Sequence, residues 1–365
     1  MNHDKMNHDK IMIAMSGGVD SSVALLKSIE RYGCGNVCGA TLALSERGSA
    51  GEAADRKNSD DARAVCDIFG VPHMTIYAYP EFSARVIDYF TGEYLAGRTP
   101  NPCVVCNRYV KFGLLLDFAR EHGYNRIATG HYANITYRDG TAYLSRANDL
   151  RKDQSYVLAS LSQEQLASAD FPLGAYTKPE VRRLAAEHGF VSADRGDSQD
   201  VCFIPDGDYA AFIKCRLHMT DEPGDYIDEN GRILGQHRGQ WQYTIGQRKG
   251  LGISMGRHVF VLDKDAERNT VTLGDEEPLF CKNVRVRGVN FISGVRQDGR
   301  YTVKLRYAHK PADAYVRFSN GGAELEFDEP QRAPTPGQFA VAYDSDGYVA
   351  MSGCICGKKE TEADE

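Results

Sequence analysis

The sequence predicts an α/β fold with an added β domain: an N-terminal doubly wound parallel sheet, a small central domain and a C-terminal antiparallel β-barrel-like domain. Three observations predict it. Strand-like and helix-like segments alternate over roughly the first 135 residues, as in βαβ units. From about residue 206 the segments are short and separated by Gly, Asp and Asn. From about 281 to 356 apolar and polar residues alternate between Gly turns, which is typical of a small barrel.

The predicted elements of the first domain follow in order along the chain. Apolar runs predict strands at 11–15, 37–44, 71–77 and 126–129. Helical patterns fall at 23–30, 58–69, 82–95, 112–122 and 178–188, several of them stopped by a glycine. The polar segment 45–57 is predicted to be a mobile surface loop. In the last domain, strands are predicted at 284–289, 301–307, 314–318 and 339–343.

These patterns divide the 365-residue chain into five parts. Residues 1–10 and 358–365 are polar and predicted to be disordered tails, the first a tandem copy of MNHDK. The α/β domain is predicted over 11–207, a linker-like central domain over 208–276 and the β-barrel-like domain over 277–357.

Composition excludes several classes of protein. Apolar residues make up 42% and charged residues 25%, which is ordinary for a globular protein and excludes a fibrous or wholly disordered one. No apolar run approaches the roughly 20 residues of a membrane-spanning helix, and the polar start has no secretory signal, so we expect no membrane partner and a cytoplasmic location. Ten cysteines are too few for a disulfide scaffold, so they are interpreted first as catalytic, metal-binding or buried thiols.

Positive charge is concentrated in one segment of an acidic chain. The net charge is −7, yet residues 282–317 hold nine Lys or Arg against two Asp. Phosphate binding depends on local charge density, so this segment is a candidate for holding a nucleic-acid backbone. A solvated strand face is the alternative.

The segment SGGVDSS at 16–22 lies between the first predicted strand and the first helix. Its two glycines allow close backbone approach, and its N–H groups and the following helix N-terminus form an anion pocket. The loop lacks the lysine of a Walker A motif and is not G-x-G-x-x-G. We therefore expect it to bind a leaving pyrophosphate, with Asp20 either beside a metal ion or capping the helix.

Three cysteines form the second candidate feature. Cys103 and Cys106 make a C-x-x-C pair after an Asn/Pro turn, and Cys202 follows DSQD. Such a pair is a redox couple or two ligands of a soft metal or iron–sulfur cluster. The helix that begins here, with Arg108 and Lys111 nearby, is expected to lower the thiol pKa.

The pattern S-G-G-x-D-S after a first strand resembles the PP-loop ATP pyrophosphatases, which split ATP between the α and β phosphates and adenylate a substrate. Further blocks extend the likeness over nearly the whole chain, which closely resembles the tRNA-specific 2-thiouridylases of the MnmA/TrmU type. The matching blocks are SGGVDSS, NPCVVCNRYVKFG, ATGHYA, KDQSYVL, FPLG, DSQDVCFIP, GQHRGQWQYTIGQRKGLGI, VFVLDKD and TPGQFAV.

The resemblance implies a role for individual residues. Cys106 takes the place of the catalytic nucleophile and Cys202 that of the cysteine that carries persulfide sulfur. The residues implied to bind ATP are Ala14, Met15, Ser16, Gly17, Gly18, Val19, Asp20, Ser21, Leu42 and Gly130. Asn101, Pro102 and Cys103 are implied to lie at the target base. Other tRNA contacts are implied for His131, Lys152, Asp153, Gln154, Arg306, Tyr307 and Gln338.

The implied reaction is ATP-dependent 2-thiolation of the wobble uridine of tRNA, by adenylation of the C2 oxygen and then sulfur transfer. Implied cofactors are ATP and Mg²⁺. Implied partners are tRNAs for Lys, Glu and Gln and a sulfur-relay protein or cysteine desulfurase. Many family members carry Asp where this chain has Cys103, so Cys103, Cys106 and Cys202 also offer three ligands for a [4Fe–4S] cluster that binds sulfide. The rival interpretation is a PP-loop ligase that adenylates a small molecule.

Overall fold

A computed structural model describes residues 9–190 and 201–357. Residues 1–8, most of the first predicted tail, and the second tail at 358–365 lie outside the described residues. Positions 197–200 of the block that leads to Cys202 lie outside them as well.

A five-stranded parallel sheet forms the centre of the N-terminal domain. Its strands are β1 (Ile11–Ala14), β2 (Val37–Ala43), β3 (His73–Tyr77), β4 (Arg126–Thr129) and β7 (Ala169–Asp170), in the order β3-β2-β1-β4-β7. Along β1, Met12 belongs to the apolar core on one face, whereas Ile11 and Ile13 belong to the core on the other. Helices contribute to both cores, which confirms the predicted doubly wound sheet.

Ten α-helices surround the sheets. They are α1 (Val19–Tyr32), α2 (Glu52–Ile68), α3 (Tyr79–Phe82), α4 (Asp88–Leu95), α5 (Pro102–Cys106), α6 (Leu115–Glu121), α7 (Ser155–Leu158), α8 (Gln163–Ala167), α9 (Lys178–Glu187) and α10 (Tyr209–Leu217), counted over the described residues. Two π-helical stretches join neighbours: Ser83–Ile87 links α3 to α4, and Asn107–Leu114 links α5 to α6. Single 3₁₀ turns occur at Cys34–Asn36, Gln240–Gln242 and Glu277–Leu279. Within the part of the chain just described, no helix is long and apolar enough to cross a bilayer.

The predicted mobile loop over 45–57 is wrong in its second half, because α2 begins at Glu52. Two acidic residues, Glu52 and Asp55, lie in the first turn, where they interact favourably with the helix dipole. Arg56 also pairs with Glu52 one turn earlier, at 2.9 Å. Local charge pairing therefore makes a helix from a polar segment that carries little apolar periodicity.

The central domain has a sheet and a core of its own. Its strands are β8 (Gly224–Ile227), β9 (Ile233–His237), β10 (Phe260–Asp265) and β11 (Thr270–Gly274), in the order β10-β11-β8-β9. Tyr226, Val261 and Val271 are fully buried in its core, and the Tyr226 hydroxyl donates to the Leu251 carbonyl at 2.6 Å.

The last domain is a closed barrel, as the alternating pattern predicts. Its strands are β12 (Phe280–Asn290), β13 (Gly299–Lys304), β14 (Ala312–Phe318), β15 (Gly322–Arg332), β16 (Phe339–Tyr343) and β17 (Val349–Ile355), in the order β12-β15-β14-β13-β16-β17. Alternate residues such as Val284 and Val286, or Ala314 and Val316, fill its interior.

The barrel packs against the first domain along an interdomain seam, formed by residues 99–101 and 155–163 on one side and 290–292, 336–343 and 352 on the other. The Tyr156 hydroxyl donates to the Phe339 carbonyl at 2.8 Å, and the Ser352 hydroxyl donates to the Ala159 carbonyl at 3.0 Å. A hairpin of β5 (Ala133–Arg138) and β6 (Thr141–Arg146) reaches the barrel beside the seam, where one β-bridge joins it to residue 348. The seam therefore holds the C-x-x-C segment against the barrel.

Candidate active site

The SGGVDSS loop lies where β1 ends and α1 begins. Gly17 has a φ of 71°, and a Cβ on it would lie 2.7 Å from the Asn58 carbonyl oxygen, so only glycine fits there. Gly18 is the N-cap of the 14-residue α1. The hydroxyls of Ser21 and Ser22 each donate to the Gly18 carbonyl at 3.0 Å. The loop therefore closes on itself and directs the free N–H groups of the first helical turn outwards, as an anion site requires.

A second close approach joins this loop to the end of β4. A Cβ on Gly130 would lie 2.8 Å from the backbone carbon of Asp20. Gly130 therefore packs directly on the first turn of α1, where the resemblance places ATP. The remaining residues implied to bind ATP lie in the same region. Ala14 ends β1 and Met15 follows it, and Leu42 is half-buried near the end of β2.

Asp20 has partners that the sequence did not reveal. The Lys178 ammonium lies 2.8 Å from both carboxylate oxygens, and the Tyr132 hydroxyl donates to one of them at 2.8 Å. The cap of α1 is Gly18, so the predicted capping role of Asp20 is wrong. Both oxygens of Asp20 accept from Lys178, and the metal-side role of Asp20 stays a prediction.

Lys178 is the residue that sequence analysis missed at this site. It is the first residue of α9 and only 9% exposed, and it lies 158 positions from Asp20 along the chain. The sequence feature that could have identified it is its position directly after Thr177, which forms a capping box with Glu180. A lysine there has no ordinary capping function, since cations are unfavourable at a helix N-terminus.

One apolar cluster brings the nucleotide side and the cysteines together. Cys106, the last residue of α5, is only 7% exposed and lies in a core with Val105 and Phe82. Leu42, implied to lie beside adenine, and Phe203, the neighbour of Cys202, both pack on this core. The three features that the sequence placed far apart therefore meet at the carboxyl edge of the parallel sheet.

The thiol pKa values are raised, which makes the expected lowering wrong. Desolvation raises the pKa of Cys106 to about 12, and Lys111 offsets only part of this effect. Desolvation also raises the pKa of Cys103 and of Cys202, again opposed by Lys111. The cause is position: Cys106 ends α5 instead of beginning it, and burial disfavours the thiolate more than one cation favours it.

All three cysteines interact electrostatically. Cys103 and Cys202 both raise the pKa of Cys106, and Cys103 raises that of Cys202. Nevertheless, the described residues contain no group of three His, Cys, Asp or Glu side chains arranged to hold a metal ion. The three thiols as placed here do not fit a [4Fe–4S] cluster.

The segment implied to lie at the target base is fixed from both ends. The Asn101 side-chain oxygen accepts from the backbone N–H of Cys103 at 3.2 Å and so caps α5. From the barrel, the Gln338 amide donates to the carbonyls of Thr99 and Pro100 at 3.0 and 3.2 Å. Pro102 is buried, whereas Cys103 is exposed. The barrel therefore positions this segment directly.

The residues implied to contact tRNA divide into surface and interior groups. Arg306 and Tyr307 are exposed and Lys152 is half-buried. In contrast, His131 and Asp153 are 8% and 6% exposed. The Asp153 carboxylate accepts hydrogen bonds from the backbone and hydroxyl of Ser155 at 3.1 and 3.0 Å.

Two of the implied tRNA residues have internal partners as well. The Gln154 side-chain oxygen accepts from the Tyr132 N–H at 2.9 Å. His131 Nδ1 lies 2.7 Å from the Thr129 hydroxyl, and burial holds the pKa of His131 well below its usual range, so its ring is neutral. Their contact with tRNA stays a prediction.

Part of the basic segment is neutralised within the barrel. β15 pairs with both β12 and β14, and two of its acidic residues form ion pairs with arginines of β14 and β13. Arg317 pairs with Glu326 at 3.0 Å, and Arg300 pairs with Asp328. The β13–β14 connection approaches the cysteines, because its Tyr307 interacts electrostatically with Cys103.

Family models match the chain in three consecutive parts. A tRNA methyl transferase HUP domain matches residues 9–206, a tRNA methyl transferase PRC-barrel domain matches 211–275, and an aminomethyltransferase β-barrel domain matches 281–355.

Curated relatives match over almost their whole length. A tRNA-specific 2-thiouridylase MnmA from Moorella thermoacetica is 46% identical, over 93% of this chain and 97% of that protein. One from Acetivibrio thermocellus is 43% identical, over 94% and 98%.

Solved structures give a more distant likeness. The U34-tRNA thiolase NcsA from Methanococcus maripaludis, solved with its [4Fe–4S] cluster, is 16% identical with a TM-score of 0.34, over 57% of this chain and 67% of that one. An NH3-dependent NAD synthetase from Campylobacter jejuni is 15% identical with a TM-score of 0.30, over 52% and 67%. Values this low do not bear on function.

Proposed function

This chain belongs to the family of tRNA-specific 2-thiouridylases, and we propose that it replaces the C2 oxygen of the tRNA wobble uridine with sulfur at the expense of ATP. The observation that carries this proposal is the apolar cluster that contains Cys106 and on which Leu42 and Phe203 both pack. It brings Leu42, which is implied to lie beside adenine, and the neighbour of Cys202 to one core with Cys106, and a reaction that both adenylates and transfers sulfur requires such proximity.

In the first step the C2 oxygen of uridine attacks the α phosphorus of ATP and pyrophosphate leaves. The N–H groups at the start of α1 face the departing charge, and they are fixed beforehand by the turn at Gly17. Because Lys178 neutralises Asp20, that carboxylate does not repel the phosphates. Mg²⁺ bound to the ATP phosphates would stabilise the negative charge that develops on them.

In the second step Cys202 carries the sulfur as a persulfide. The Cys106 thiolate attacks the inner sulfur, which forms a Cys106–Cys202 disulfide and releases hydrosulfide. Hydrosulfide attacks C2, and AMP departs with the former C2 oxygen. An external thiol then supplies two electrons to reduce the disulfide. The electrostatic interaction of Cys106 with Cys202 supports this pairing, as does the packing of Phe203, the neighbour of Cys202, on the core that contains Cys106.

The persulfide route is favoured over the cluster route by the arrangement of the thiols. Cys103 is the extra cysteine, and it lies on the exposed side of α5, where Tyr307 and the barrel approach it. We therefore assign Cys103 to the wall of the base pocket. The target base must leave the anticodon stack to reach it.

The finer assignments of partners follow the family. We propose tRNAs for Lys, Glu and Gln as substrates, a sulfur-relay protein or cysteine desulfurase as donor, and the cytoplasm as location. The acidic partners of Arg300 and Arg317 leave the β13–β14 connection as the barrel surface with which tRNA phosphates interact.

The experiment is mass spectrometry of nucleosides from tRNA incubated with the protein, ATP, Mg²⁺ and a persulfide donor. We expect 2-thiouridine with the wild-type protein and none with Cys106→Ser or Cys202→Ser. Cys215→Ser, which changes an exposed cysteine of α10, is the matched control and should retain activity. Pyrophosphate release that needs no tRNA and yields no thiolated base would favour the ligase alternative.

A further inference from the structure

Two cations that no motif singled out come from opposite sides of the boundary between the first domain and the barrel, and both lie near aromatic residues of the interdomain seam. Arg146 ends β6 in the first domain, and Lys304 ends β13 in the barrel. They are close enough that the charge of Arg146 lowers the pKa of Lys304. Like charges held together across a domain boundary are unfavourable unless an anion compensates them.

Arg146 has donors without acceptors. Its guanidinium lies 4.0 Å above the ring of Tyr343 and interacts with the hydroxyl of that residue. Its Nε and Nη2 atoms are buried, yet they have no hydrogen-bond partner among the described residues. A buried donor without an acceptor is unfavourable, and more so when it is charged, so such a group in a native protein requires an explanation, of which a bound ligand is one.

Lys304 is held by aromatic rings. Its ammonium lies 5.8 Å from the ring of Tyr156 and 5.4 Å from that of Tyr307. Desolvation, the largest cause, also lowers its pKa. A lysine so placed keeps a flexible stem that can move aside and then follow an incoming anion.

Among the described residues, Asp153 supplies the carboxylate whose charge acts on Lys304. Asp153 raises the pKa of Lys304, but both of its oxygens already accept hydrogen bonds. Oδ1 accepts from the N–H groups of Ala147 and Ser155, and Oδ2 accepts from the Ser155 hydroxyl. Arg146 and Lys304 carry two positive charges against the one negative charge of Asp153, so the site is net positive. The Nε and Nη2 donors of Arg146 are available to an anion there.

The position of this site identifies the anion. Tyr307, which contacts Lys304, interacts electrostatically with Cys103, and Tyr156 hydrogen-bonds to the side chain of Asn101. Asn101 and Cys103 are the residues implied to lie at the target base. A nucleotide flipped into that pocket would carry its own phosphodiester groups to the seam.

We propose that Arg146 and Lys304 together bind one backbone phosphate adjacent to the flipped uridine, and so position the base for adenylation. This inference rests on the proposed function. Arginine supplies a planar pair of N–H donors and lysine a point charge, a combination suited to a phosphate with two free oxygens. The clamp forms only when the barrel is docked on the first domain, so it also couples docking to substrate binding.

The test compares the affinity for tRNA of wild-type protein, Arg146→Met and Lys304→Met across a series of salt concentrations. Each variant should bind about tenfold more weakly and lose about one unit of slope in the plot of log K against log salt. The double variant should also lose about one unit, because the two residues share a phosphate. Arg183→Met removes an exposed arginine of α9 that pairs with Glu187, and it should change neither quantity.

A chemical cycle locates the phosphate. Anticodon stem–loops are made with a methylphosphonate on either side of the target uridine, which removes one backbone charge. At one of the two positions the methylphosphonate should lower the affinity of the wild-type protein about tenfold. The same methylphosphonate should lower the affinity of Lys304→Met less than threefold, because that variant has already lost the contact. If the losses add fully at both positions, or if both variants keep the wild-type salt slope, the clamp is absent. Wild-type protein that thiolates no tRNA would instead contradict the proposed function itself.

Discussion

Lys178 lies with its ammonium 2.8 Å from both carboxylate oxygens of Asp20, so the first turn of the nucleotide loop contains an ion pair whose two members come from opposite ends of the domain. The lysine side chain is 11% exposed and the carboxylate 35%. A partly buried pair of this kind makes each charge dependent on the other. The SGGVDSS loop contains no lysine. Lys178 of α9 instead neutralises the charge of Asp20, the one acidic residue in that loop.

Lys178→Gln should weaken ATP binding by at least about tenfold, because the uncompensated Asp20 carboxylate then repels the phosphates. Adding Asp20→Asn should restore part of the affinity, because it removes the repelling charge. Equilibrium dialysis with labelled ATP measures both. Lys27→Gln, which removes a lysine of α1 that pairs with Glu30, is the control. A double variant weaker than Lys178→Gln would contradict the repulsion argument.

Gly17→Ala and Gly130→Ala should each destabilise the protein by about 1–3 kcal/mol and abolish the stabilisation by ATP. At Gly17 the new methyl would lie 2.7 Å from a backbone oxygen and φ is positive; at Gly130 it would lie 2.8 Å from the backbone of α1. Thermal unfolding with and without ATP measures the effect. Gly35→Ala meets nothing within 4 Å and should leave both values near wild type. Normal stabilisation by ATP in Gly17→Ala would show that the loop does not bind the nucleotide.

Cys106 should react with iodoacetamide in proportion to its small thiolate fraction. Because burial raises its pKa to about 12, the alkylation rate should increase about tenfold per pH unit between pH 7 and 10 without a plateau. The same peptide in guanidinium should reach a plateau above about pH 9. Mass spectrometry of the Cys106 peptide follows both. Lys111→Gln should slow alkylation further, since Lys111 lowers this pKa; a plateau near pH 8 in the folded protein would contradict the assignment.

The raised pKa of Cys106 also predicts that the free energy of unfolding decreases as the pH increases. The folded pKa lies above the value of roughly 8.5 expected for an unfolded chain, so the neutral thiol contributes stability that is complete below about pH 8.5. This contribution is lost as the pH increases towards 12. Cys106→Ala should therefore show a smaller decrease in the free energy of unfolding between pH 8 and 10 than the wild-type protein, measured by urea denaturation. An equal decrease would show that Cys106 does not titrate as assigned.

The strands, the glycine turn and the β-barrel could be predicted from the sequence. The apolar runs identified β1, β2 and β4, and SGGVDSS identified a turn that requires glycine at position 17. The alternation beyond residue 281 predicted a barrel that the structure closes with six strands. These properties follow from side-chain periodicity and backbone conformation, which neighbouring residues determine.

Contacts between side chains that are far apart in the sequence could not be predicted from local patterns. Lys178 reaches Asp20, and Arg146 meets Lys304, only after folding, and no spacing in the chain encodes either contact. The sign of the Cys106 pKa shift was predicted wrongly for the same reason. Sequence showed a nearby helix and cations, whereas the burial that decides the shift comes from residues such as Phe82, over twenty positions away.

Cys103→Asp should keep thiolation within about threefold of wild type, whereas Cys106→Ser and Cys202→Ser should reduce it to background. Cys103 is exposed at the base pocket, and the described residues offer no three-ligand metal site, so the sulfur route needs only the other two thiols. An aspartate at position 103 keeps a polar group beside Tyr307. It also keeps the cap of α5, because the Asn101 side chain accepts from the backbone N–H of residue 103. Protein purified anaerobically should contain no stoichiometric iron, measured by a colorimetric iron assay and by absorbance near 400 nm. Bound iron that disappears in Cys103→Asp together with activity would establish the three-cysteine cluster and overturn the persulfide route.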